Sequence, residues 1–112
     1  MLPALPRIDI VYTLRYTPLV AGGIEFDWDD ENAKHLAAQN VKPAEFEQVL
    51  TNDPVDLDYE AIGGEERYRS VGLTYGGRLL SLAWTVRNGK IRAVTAFPAG
   101  VSDTKAFLER SR

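Results

Sequence analysis

The order of apolar and polar positions divides this chain into segments of two different periods. Between Arg7 and Tyr16, Ile8, Ile10, Tyr12, Leu14 and Tyr16 alternate with Arg7, Asp9, Val11, Thr13 and Arg15. A period of two with one wholly apolar face is a strand pattern, here framed by Pro3, Pro6, Pro18, Gly22 and Gly23. Two readings stand for residues 1–23: an extra edge strand, or an N-terminal extension with no stable place in the domain.

From Ile24 a short apolar/acidic alternation to Trp28 reads as a strand leading into a helix. Asp27 or Asp29 can cap that helix, and Asp30 and Glu31 sit where the positive end of the helix dipole favours anions. Trp28, Leu36 and Ala37 fall near one of its faces, and Asn40 suits a left-handed residue after its end. Pro43 fits the first turn of a second helix with Phe46, Val49 and Leu50 on its buried stripe, closed by Thr51-Asn52-Asp53-Pro54. Residues 55–64 are acidic, end on Gly63-Gly64, and read as a loop or a poor strand.

Three strand-like runs follow, Arg67–Thr74, Arg78–Val86 and Lys90–Phe97, joined by Tyr75-Gly76-Gly77 and Arg87-Asn88-Gly89. Asn-Gly between two alternating runs is a strong hairpin signal, so the three form an antiparallel meander. Leu80, Leu82, Trp84 and Val86 share one face of the middle run; Leu79, Ser81, Ala83 and Thr85 share the other. Pro98 stops the last run, and Ser102 or Asp103 can cap a final helix carrying Phe107 and Leu108. The expected fold class is α+β: two N-terminal helices, an antiparallel meander of at least three strands and a C-terminal helix. It occupies residues 24–112 as one domain, the size that 112 residues allow.

Charge changes the picture more than composition does. The net charge of −3 hides a polarity along the chain. Residues 25–66 carry thirteen acids against Lys34 and Lys42, whereas residues 67–112 carry nine bases against Asp103 and Glu109. Such asymmetry suggests either a surface for a polyanion or two halves that neutralise each other in the fold. With no cysteine there is no disulfide, thiolate metal site or cysteine nucleophile, as suits a reducing cytoplasm. No stretch approaches the ~20 apolar residues of a membrane helix, and Arg7, Asp9 and Arg15 break the only stretch resembling a signal peptide. The expectation is a cytoplasmic protein that makes no contact with membrane.

Phosphate loops, HExxH and EF-hand patterns are missing from the sequence, and with His35 the single histidine no metal or cofactor site is expected. The meander, by contrast, is rich in cations: Arg67, Arg69, Arg78, Arg87, Lys90 and Arg92. A guanidinium holds a phosphate through two parallel hydrogen bonds and stays charged at every relevant pH. A cluster of them could stabilise the phosphorane formed when an RNA 2′-hydroxyl attacks its own phosphate, without a metal. His35 and the Glu65-Glu66 pair are the candidates for proton transfer. Trp28 and Trp84 suit core packing better than base stacking.

The order of short motifs also resembles a known family. Trp28-Asp29-Asp30-Glu31-Asn32, His35 and the run Val41–Leu50 look like the opening helices of BrnT-type toxins, and Asp53-Pro54 like the turn that follows. Glu65-Glu66-Arg67-Tyr68, Val71-Gly72, Gly77-Arg78-Leu79-Leu80, Ile91-Arg92 and Thr95-Ala96 resemble the family's sheet, and Pro98-Ala99 its link to the last helix. The resemblance spans about residues 24–110. It implies a RelE-like ribonuclease toxin of a bacterial type II toxin–antitoxin pair, which cuts RNA without a metal and so inhibits translation. It further implies a cognate antitoxin as partner, and operator DNA contacted only through the antitoxin complex.

Carried over by position, the family's functional sheet residues fall on Glu66, Arg67, Arg78, Arg87 and Arg92. With His35 added, the expected catalytic group is Glu66, Arg67, Arg78, Arg92 and His35, and Arg69, Arg87 and Lys90 are expected to contact RNA. The chain departs from the family pattern at Gln39 and Asn40, where a second histidine and a glycine are common, and at Phe97, where an arginine is usual. A catalytically degenerate protein that binds an antitoxin partner or acts as a co-repressor is therefore the alternative.

Overall fold

The structure, a computed structural model, describes residues 24–111. Residues 1–23, and with them the expected extra strand, lie outside this range. Two helices, α1 (Asp30–Ala38) and α2 (Pro43–Leu50), precede four strands, β1 (Val55–Ile62), β2 (Glu65–Leu73), β3 (Leu79–Arg87) and β4 (Lys90–Pro98), and a last helix, α3 (Val101–Arg110). The strands form one antiparallel sheet in the order β1-β2-β3-β4. The α+β layout is the one that the sequence pattern implies.

The helix ends follow local chemistry. Asp29 caps α1 by accepting from the Asn32 N–H at 3.0 Å, while the Asn32 side chain accepts from the Asp29 N–H at 2.9 Å. Asn40 takes the left-handed conformation (φ 61°) that lets the chain turn at once into α2, which begins on Pro43. The hairpin between β3 and β4 turns on Asn88 (φ 55°) and Gly89 (φ 77°), the double left-handed geometry of a type I′ turn.

Four expectations need correction. Residues 55–62 form a complete edge strand, because their acids stand opposite bases: Asp58 pairs in register with Arg69 and Glu60 with Arg67. Opposite charges across strands outweigh the poor strand propensity of acidic residues. Helix α3 starts at Val101 with Gly100 at its cap position and no side-chain cap; Asp103 turns to the sheet instead. Ala37 is exposed, leaving Leu36 to face the core. Ile24–Trp28 pairs with the sheet only through a parallel bridge between Phe26 and Ile91, on the outer edge of β4.

Helices α1 and α2 cover one face of the sheet. Leu36, Val41, Phe46, Val49, Leu80, Leu82, Trp84, Ile91 and Ala96 are almost fully buried there. Trp84 stacks on Tyr68 (centroids 4.6 Å apart, planes 23° apart) and donates its indole N–H to Ser70 Oγ at 3.2 Å. Trp28 packs edge-on against Phe46 and donates to Glu47. Both tryptophans therefore belong to the packing, as their apolar faces suggest. A register shift between Ala83 and Trp84 accommodates a bulge at Val94 and keeps both Ala93 and Ala96 on the core side.

Gly72 marks where the chain leaving α2 presses on the sheet. A Cβ there would lie 3.1 Å from Val49 Cγ1 and 3.2 Å from the Cα and Cβ of Pro54. Pro54 Cα is backbone and cannot rotate away, so Gly72→Ala is expected to cost about 1–3 kcal/mol of stability. Gly64→Ala, at an open turn position, provides the comparison in urea unfolding, since strain there comes from its positive φ alone.

Candidate functional site

Burying Tyr68, Trp84 and Ala93 sends their strand neighbours Arg67, Thr85 and Arg92 to the opposite side of the sheet. Helix α3 covers one end of that second face. Its Asp103 accepts from Ser81 Oγ and from Arg69, both at 2.7 Å. The other end stays open, and it continues around the edge of β4 to the first turns of α1. There a cleft of about 320 Å³ is lined by Glu31, Asn32 and His35 of α1, Glu65 and Arg67 of β2, Thr85 and Arg87 of β3, and Arg92, Ala93 and Val94 of β4.

The cations of the cleft differ in how firmly they are held. Glu65 bridges two of them, accepting from Arg67 Nε at 3.0 Å and lying 3.7 Å from Arg87 Nη2. All three side chains are at least one-third exposed, so these pairs contribute little and can be exchanged for another anion. Arg92 is only 12% exposed and meets three carboxylates: Asp29 at 2.7 Å, Asp27 at 3.5 Å and Glu31 at 3.9 Å. The Asn32 backbone N–H and then the Arg92 guanidinium hold the Asp29 carboxyl below its ordinary pKa, and Asp29 in turn raises that of Arg92. His35 Nε2 lies 3.2 Å from Thr95 Oγ1, and its ring reaches the cleft from the exposed side of α1. The Thr85 hydroxyl donates to the Glu66 carbonyl at 2.6 Å.

Of the expected site residues, the fold brings together His35, Arg67, Arg87 and Arg92. Glu66 falls on the helix-side face by strand alternation, where it accepts from the Tyr68 hydroxyl at 2.9 Å; its neighbour Glu65 lines the cleft. Arg69 clamps Asp58 and Asp103 under α3. Arg78 reaches both Glu45 oxygens (2.8 and 2.9 Å) and the Asn40 carbonyl, tying the start of β3 to the helical pair. Lys90 is exposed beside the β3–β4 turn, opposite Arg87. Phe97, 36% exposed, stands opposite Ser81 toward the α3 end of the second face.

The sequence reading missed the acids that hold Arg92. Asp27, Asp29 and Glu31 read locally as cap and dipole residues, and nothing in the sequence pairs them with a residue more than sixty positions away. The charge polarity is resolved in the same way. Arg67, Arg69, Arg78, Arg87 and Arg92 each pair with a carboxylate from residues 25–66, so the two halves largely neutralise each other. Among the described residues no three His, Asp or Glu side chains gather as a metal site, and no helix is long and apolar enough to cross a membrane. Compared with known proteins, the chain matches no family model and no curated sequence.

Arg78 is built as a structural clasp. Its partner Glu45 accepts first from the Lys42 backbone N–H and then from Arg78, and both hold its carboxyl below the ordinary 4.5. A depressed folded pKa means the clasp stabilises fully above pH 4.5 and is lost as pH falls through the lowered value. Arg78→Ala is therefore expected to cost about 1 kcal/mol at neutral pH, and less in acid. Chemical unfolding at pH 7 and pH 3 checks both.

Proposed function

We propose that this chain is a BrnT-like toxin of a type II toxin–antitoxin pair, acting in the cytoplasm as a metal-independent endoribonuclease that inhibits translation. The observation that carries this reading is the cleft that gathers Arg67, Arg87 and His35 from three separate elements at the end of the second sheet face that α3 leaves open. The two exchangeable arginines hold the scissile phosphate and offset the charge of the phosphorane. The RNA 2′-hydroxyl attacks phosphorus, the bond to the 5′-oxygen breaks, and a 2′,3′-cyclic phosphate and a free 5′-hydroxyl result. His35, at the edge of the cleft, carries the proton from the 2′-oxygen to the departing 5′-oxygen in this reading. A cognate antitoxin binds the protein, and operator DNA is contacted only through that complex.

A specific observation favours a second reading, a catalytically degenerate protein that binds an antitoxin-like partner or acts as co-repressor. Arg92 is occupied by three carboxylates, and Phe97 stands where the resembled family has an arginine.

Incubation with single-stranded and structured RNA in EDTA, beside Arg67→Ala/Arg87→Ala and His35→Ala, separates the two. The ribonuclease reading expects cleavage by wild type with cyclic phosphate ends, and a loss of 10²-fold or more in each variant, on the order of a missing transition-state donor or proton-transfer group. Intact RNA with folded wild-type protein supports the degenerate reading.

A further inference from the structure

The segment from Glu25 to Glu31 is strapped along the outer edge of the sheet. The Asp27 N–H donates to the Ile91 carbonyl at 2.8 Å, and the Ile91 N–H donates to the Glu25 carbonyl at 2.9 Å. The buried Asn32 side chain donates to the Asp27 carbonyl at 2.9 Å, fixing the strap to α1. These bonds set Asp27 and Asp29 against the guanidinium of Arg92, and Glu31, 3.9 Å from it, lines the cleft. Core packing holds the backbone of this segment, with Phe26 and Trp28 edge-on to Phe46, but does not require its carboxylates to meet Arg92. Glu31 is 91% exposed and Asp29 47% exposed, and Asp29 would cap α1 equally well without reaching Arg92.

A carboxylate on a guanidinium occupies the same two donors that a phosphate oxygen pair would take. The remaining cations facing the cleft, Arg67 and Arg87, share a single carboxylate, Glu65, in an exposed pair. The cleft thus has two accessible phosphate-binding arginines and a third already filled by the chain's own acids.

We propose that the Asp27–Asp29–Glu31 strap is an internal competitor for phosphate at Arg92, which holds the cleft at reduced affinity for RNA. The inference rests on the RNA-binding reading of the cleft and adds its regulation. A strand of RNA gains the Arg92 contact only by displacing these carboxylates from the guanidinium, so anything that neutralises those acids strengthens binding. The cost falls on the third phosphate contact alone, because Arg67 and Arg87 lie across the sheet from the strap.

The test measures binding of a short single-stranded RNA carrying 2′-O-methyl groups, which cannot be cleaved through the 2′-oxygen. Wild type is compared with Asp29→Asn/Glu31→Gln, where asparagine keeps the helix cap. The double variant is expected to bind about tenfold more tightly, the scale of one charged hydrogen-bonded contact. Its slope of log affinity against log salt should steepen by about 0.7, as for one further phosphate contacted on a single strand. Adding Arg92→Gln should remove both gains. Glu31→Gln alone, at an exposed position that caps nothing, should give a smaller gain and keeps the test usable if the double variant unfolds. Unchanged affinity in both variants, or a gain that survives Arg92→Gln, overturns the competitor role while leaving RNA binding intact. Absence of binding by wild type and every variant overturns the RNA-binding reading and the strap with it.

Discussion

The burial of Phe46, Leu36 and Trp84 in one core on a single face of the sheet is the constraint on which the rest of this structure depends. It commits one face of a four-stranded sheet to the core and so decides the direction of every second residue in β2, β3 and β4. Arg67, Thr85 and Arg92 are forced outward because Tyr68, Trp84 and Ala93 are taken inward. A slip of one residue in any of these strands would bury an arginine and expose an aromatic ring or an alanine. The candidate site is in this sense a by-product of the core, sharpened by the bulge at Val94 that keeps β4 in phase with Trp84.

The second constraint is charge. A chain with so many acids before residue 67 and so many bases after it folds by laying one set on the other. Edge strand β1 exists because its acids meet Arg67 and Arg69 in register. Arg78 fastens α2 to β3 through Glu45, and Arg69 fastens α3 through Asp103. Individually such pairs are worth little at the surface, but they decide which cations remain available. Arg78 and Arg69 are consumed by structure, Arg67 and Arg87 share one exposed carboxylate, and Arg92 is covered from the side. Among the sheet arginines, those not consumed by structure therefore lie at one end of one sheet face.

Most of the fold was legible because it is written in local signals: Asp29 at a helix start, Asn40 and Pro43 between helices, Asn88-Gly89 in a hairpin, and alternation through Trp84. Strand β1 was not, since Asp56, Asp58 and Glu60 argue against a strand until their cross-strand bases are known. The start of α3 was misread for a related reason. Asp103 has the right chemistry for a cap, yet Ser81 and Arg69 offer it stronger partners on the sheet. Of the site, His35, Arg67, Arg87 and Arg92 could be nominated from residue type, but not sorted from Arg69 and Arg78, whose engagement depends on contacts far apart in the chain. Glu65 and Glu66 could not be told apart until strand phase placed them on opposite faces.

The central claim is that the open end of the second sheet face, and not the acidic helical side, is the functional surface. Titrating isotopically labelled protein with a short uncleavable RNA and following amide and side-chain NMR shifts tests it directly. The account predicts saturable shifts centred on His35, Arg67, Thr85, Arg87 and Arg92, with Arg69, Arg78 and the exposed face of α2 unmoved. Shifts centred on α2 or on the β1 edge, or none at all under conditions where the protein is folded, would contradict it.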